Sequence, residues 1–160
     1  MKNIIVAAAV AGLVAVALIA CDHGAGPGGG ASSAAAAVPD QTARVDCAIS
    51  AGPCAKGSGD AALTLEITPR PVRSMTDLVF VVGGPAAATA GAAGVIDLTM
   101  PGMFMGKNEV QLRPDGAGHL TGKGVMVRCP SGHLTWSAAT TVKPAGGAPV
   151  TGTFTFDLSP

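Results

Sequence analysis

The sequence predicts an all-β fold, an immunoglobulin-like antiparallel β-sandwich of about seven short strands. Three observations predict it. From residue 61 onward, apolar residues recur with period two. Gly, Pro, Asn and Asp clusters punctuate these runs at regular spacing. No stretch of this region carries a convincing helical period.

The strands read in order. Leu63, Leu65 and Ile67 alternate with Thr64, Glu66 and Thr68, then stop at Pro69-Arg70-Pro71. Leu78, Phe80 and Val82 alternate with Val79 and Val81, a strand apolar on both faces that ends at Gly83-Gly84-Pro85. The Ala/Gly stretch 86–94 reads as a loop with room for a helical turn. Ile96, Leu98 and Met100 form a third strand, and Val110 and Leu112 a fourth. Pro114-Asp115-Gly116 is a turn. A fifth strand runs from Leu120 to Arg128, and its Gly122 and Gly124 mark a bulge or a close backbone approach. Leu134, Trp136, Ala138 and Thr140 make the sixth, and Phe154, Phe156 and Leu158 the last. Trp136 is the expected largest core side chain. With no tyrosine in the chain, there can be no tyrosine corner.

The strands occupy only part of the 160 residues. Residues 1–20 read as a lipoprotein signal peptide: Lys2, then an apolar run from Ile4 to Ala20. Leu18-Ile19-Ala20-Cys21 resembles the lipobox of bacterial lipoproteins. That resemblance implies cleavage before Cys21 and lipid attachment to its sulfur. An uncleaved anchor helix is the alternative. On either reading the domain is held at the cell membrane and faces the periplasm or the cell exterior. Residues 21–44 are the lipidated Cys and a flexible Gly/Ala/Ser tether, and residues 45–160 are the domain.

Charge excludes some partners. Without Lys2 the chain has 9 basic and 10 acidic residues and no like-charge run. This argues against nucleic acid, which needs a basic stripe, and against a polybasic membrane patch. With Cys21 lipidated, Cys47, Cys54 and Cys129 remain, and three pairings are open. Chain entropy favours Cys47–Cys129, at about 4.6 kcal/mol against about 2.5 for Cys47–Cys54. Local closure around Ala51-Gly52-Pro53 favours Cys47–Cys54, the pairing we expect, which leaves Cys129 free.

One stretch points to chemistry. Met100-Pro101-Gly102-Met103-Phe104-Met105-Gly106 holds three of the six methionines. Pro and Gly suit the two central positions of a tight turn, which brings Met100 toward Met103. An extended chain after it puts Met103 and Met105 on one side. Thioethers are soft donors suited to Cu(I), although methionine is also a common core filler. Met100 ends the apolar face of its strand and packing accounts for it, but packing accounts less well for Met103 and Met105. Cys129 and His133, separated by a Pro-Ser-Gly turn, can add a thiolate and an imidazole. His119 reads as a surface residue, and Met75 as core. No nucleophile elbow, carboxylate pair or four-ligand zinc pattern occurs, so no catalytic residues are assigned and no enzyme is expected.

The order of Met-Pro-Gly-Met-x-Met-Gly (100–106), Asn108, Leu-x-Pro (112–114), Gly-x-Gly-Val (122–125), Arg128-Cys129-Pro130-Ser131-Gly132 and a Trp-bearing strand resembles the YtkA-like domain family. These are small extracytoplasmic β-sandwiches, often lipoproteins, with relatives linked to copper handling and cytochrome oxidase assembly. The resemblance covers residues 61–158 and marks Met100, Met103 and Met105, and less firmly Met75 and Cys129. It implies a copper carrier or chaperone, with a membrane oxidase, copper-transport or efflux protein as partner. The alternative is a metal-free module that docks on such a complex.

Overall fold

The computed structural model describes residues 43–160. The expected signal peptide, Cys21 and the tether up to residue 42 lie outside the described residues. All the described residues belong to one compact unit.

Eight strands form: β1 (Cys54–Lys56), β2 (Leu63–Thr68), β3 (Asp77–Gly83), β4 (Ala93–Thr99), β5 (Glu109–Pro114), β6 (Leu120–Val125), β7 (Thr135–Lys143) and β8 (Val150–Asp157). Among the described residues there is no α-helix, only a 3-10 turn at Gly59–Ala61. All pairings between these strands are antiparallel, in the order β1-β2-β3-β6-β5-β4-β7-β8. The all-β antiparallel expectation holds, with one strand more than the seven expected. The extra one is β1, in a stretch too short and too Gly-rich to show alternation. It exists because Cys54 and Lys56 find partners in Leu65 and Leu63.

Instead of two separate sheets, one nearly closed sheet is formed. Two long ladders meet at the β5–β6 hairpin, where only Arg113↔Thr121 and Pro114↔Leu120 pair. Asp115 holds that hairpin, its carboxylate accepting the Ala117 and His119 N–H groups at 2.7 and 3.1 Å. These bonds, first Ala117 and then His119, pull its pKa below the usual carboxylate range. At the opposite seam the entry segment covers the edge of β8. Asp46 and Cys47 donate to the Thr155 carbonyl at 2.9 and 3.1 Å. Thr155 N–H returns a bond to the Asp46 carboxylate at 3.0 Å. The Cys47–Cys54 disulfide, with sulfurs 2.01 Å apart, then ties this segment to β1. An Asp46–Lys56 ion pair spans the same gap. The disulfide expected from local closure therefore also bridges the seam of the sheet.

The alternating residues fill one core. Trp136, Phe80, Phe154 and Phe156 are its largest fully buried side chains. Each contributes about 1.5–3 kcal/mol by leaving water. Gly122 is required by the packing: a Cβ there would stand 2.5 Å from the Gln111 carbonyl and 2.7 Å from Val110 Cγ1. β6 stops at Val125, short of the expected Arg128, and the segment beyond it buries Met126 and Cys129 while exposing Val127 and Arg128. The Ala-rich connection makes turns, closed by an Ala88 N–H to Gly84 carbonyl bond of 3.0 Å. Its Ala86, Ala87 and Ala92 are buried.

Candidate metal-binding site

The Met-Pro-Gly-Met turn forms where β4 ends. Met103 N–H donates to the Met100 carbonyl at 3.0 Å, and Gly102 takes φ +77°. Only glycine adopts that φ without strain, and Pro101 presets the preceding position. Alternation continues after the turn. Met103 and Met105 are half-buried against the core, while Phe104 between them is 87% exposed. Met100 is 1% exposed, core in the way that its strand position suggested.

The second loop, between β6 and β7, reaches this turn. Cys129 is free, buried and 3.4 Å from the Met103 sulfur, within hydrogen-bond reach of it. Its own turn is closed by Gly132 N–H on the Cys129 carbonyl at 3.0 Å, with Gly132 at φ +79°. Ser131 Oγ lies 2.8 Å from Cys129 Sγ. That hydroxyl is the main cause of a thiol pKa below the usual range. The Ser131 and His133 backbone N–H groups add to it, and burial opposes it. The turn thus lowers the thiol pKa without a helix N-terminus.

Met100, Met103, Ser131 and His133 line one cleft of about 230 Å³, with Ala43 and Thr135. Cys129 and His133 also line a neighbouring cleft of about 490 Å³ with Val127 and Leu158. Three of the expected residues, Met103, Cys129 and His133, are thereby gathered at one place, with Met100 as its buried wall. Met105 packs on the core and lines neither cleft. His119 sits in the β5–β6 turn at the other end, 3.5 Å from Asp115. Met75 departs from the expectation of a core residue. It is 67% exposed at φ +57°, where a bulky side chain is strained, its N–H bonded to the Met126 carbonyl at 2.8 Å.

Sequence reasoning missed two participants. Ser131 shows in the sequence only as the middle of the Pro-Ser-Gly turn. The signal was its place two residues after a cysteine in a Pro-Gly turn, which lets the hydroxyl fold back on the sulfur. Ala43 was assigned to the tether, yet it lines the cleft. Among the described residues no three His, Cys, Asp or Glu side chains are grouped to hold a metal ion. The chain matches no family model, no curated protein and no solved structure.

Proposed function

We propose that this is a membrane-anchored extracytoplasmic lipoprotein, lipidated at Cys21, that carries Cu(I) at its Met/Cys loops. One observation carries the reading: the 3.4 Å contact between the Met103 and Cys129 sulfurs. Two soft donors from loops about 26 residues apart in sequence meet beside a cleft, where packing would be served as well by carbon. Cu(I) prefers such ligands. The thiolate would neutralise the ion's charge, which thioethers alone cannot do. The lowered thiol pKa favours that thiolate. Met100 and His133 line the cleft as further ligands, and Met105, packed on the core, is a reserve thioether.

We read the domain as YtkA-like and the nearly closed sheet as an immunoglobulin-like sandwich, pinched together at the β5–β6 hairpin and at the Asp46–Thr155 seam. The recipient of the metal would be a membrane oxidase, copper-transport or efflux protein. A metal-free docking module is the second reading, favoured by the exposed Phe104 beside the cleft.

Met103→Leu separates the two. Leucine keeps the apolar volume and removes the sulfur, a swap that usually costs less than about 1.5 kcal/mol of stability. Under anaerobic competition with a chromophoric chelator, we expect one Cu(I) per unaltered domain and about tenfold weaker binding by the variant, roughly 1.4 kcal/mol. Equal binding by both would remove the thioether from the site.

A further inference from the structure

We propose that the larger cleft beside Cys129 is a site for a small external thiol that binds the Cu(I) carried there, an inference that rests on the copper reading above. The two clefts meet at the sulfur pair. Met103 lines the smaller one and Cys129 the larger one, and their sulfurs lie 3.4 Å apart. His133 lines both. The sulfur contact and the imidazole therefore stand between two openings, and an ion held by both sulfurs is approached from either.

The openings differ in content and size. The smaller, about 230 Å³, holds the thioethers of Met100 and Met103. The larger, about 490 Å³, has no methionine in its lining. Val127, Leu134 and Leu158 give it apolar walls, with Ser74 and Arg128 as polar members. Small-molecule sites run from about 300 to 1,000 Å³ and have this make-up, apolar walls with a few polar groups. Only the larger cleft reaches that range.

The donor set selects a thiol. Of the residues lining the larger cleft, Cys129 and His133 alone carry sulfur or imidazole donors. The protein thus offers copper one thiolate and one imidazole on this side, beside space for another ligand. Soft sulfur matches Cu(I), and carboxylate or hydroxyl oxygen does not. As the external sulfur binds, the thiol gives its proton to solvent, and copper stays Cu(I). A carrier must also give up its metal. A thiolate entering beside Cys129 adds to the ion while Met103 still holds it from the smaller cleft. Loading and release then run by ligand exchange with a thiolate complex, and the methionine turn need not open.

The test uses residues 43–160, the compact unit that holds the whole core. Domain carrying one equivalent of Cu(I), and metal-free domain, are dialysed anaerobically against radiolabelled cysteine. We expect one cysteine per copper-loaded domain, almost none on the metal-free domain, and full retention of copper. Leu134 is 37% exposed, so Leu134→Trp is accommodated and fills the cleft. It should weaken cysteine binding about tenfold or more, as overfilling a site does, and leave the affinity for Cu(I) alone unchanged. An unchanged circular dichroism spectrum checks its fold. Copper retained without cysteine, or stripped from the domain by cysteine, would overturn the proposal and leave the copper site standing. Equal cysteine uptake with and without copper would overturn it, because the metal is then not the point of attachment. Uptake that Leu134→Trp does not weaken would overturn it by placing the thiol outside the cleft. A domain that takes up no copper before dialysis would overturn it together with the copper reading.

Discussion

Cys129→Ser is expected to weaken Cu(I) binding at least about a hundredfold, or about 2.7 kcal/mol, while the fold persists. The serine hydroxyl is nearly isosteric with the thiol, so the turn closed by Gly132 remains and the Met103 side chain keeps a neighbour. What disappears is the only free thiol among the described residues and the anionic charge it can provide. A hydroxyl is a hard donor that stays protonated, so it replaces neither property. The effect should exceed that of Met103→Leu, because removing a thioether leaves the charge balance unchanged. Competition titration of both variants beside the unaltered domain checks the order. A smaller loss for Cys129→Ser than for Met103→Leu would mean that the thiol is a bystander.

The second large effect is on stability. Replacing Cys47 and Cys54 together with Ser should cost about 2.5 kcal/mol by the loop-entropy estimate. Denaturant unfolding of oxidised protein and of the double variant measures it. The place of this bond in the fold adds a local consequence. Asp46 and Cys47 cover the edge of β8 through Thr155, and the disulfide is the covalent link from that segment to β1. Without it, the amide protons of Thr155 and of the entry segment should exchange with solvent sooner than those of Trp136 or Phe80 in the core. Uniform destabilisation, with no preferential exchange at the seam, would show that the hydrogen bonds alone hold the segment.

The strands were legible because half-buried strands show their period directly. Leu63, Leu65 and Ile67, and likewise Phe154 and Phe156, announce a buried face in the sequence, and the structure buries them. β1 was not legible: three residues show no period, and only its partners Leu63 and Leu65 define it. The closure of the sheet was not legible either, because it depends on main-chain bonds from Asp46 and Cys47 that any residue type could make. The Met-Pro-Gly-Met turn could be read from its Pro and Gly. That Cys129 stops 3.4 Å from Met103 could not, since the approach of two loops is set by the whole sheet. Met75 misled because methionine defaults to the core, whereas this one projects from a left-handed position.

The most direct measurement is a copper K-edge X-ray absorption spectrum of the domain loaded anaerobically with one equivalent of Cu(I). Sulfur at about 2.3 Å, the usual length of a metal–thiolate bond, is the expected nearest shell. Its sulfur count should fall by one in Cys129→Ser and by one in Met103→Leu. A nearest shell of nitrogen and oxygen alone, or a sulfur shell that neither substitution changes, would contradict a copper site built on these two loops.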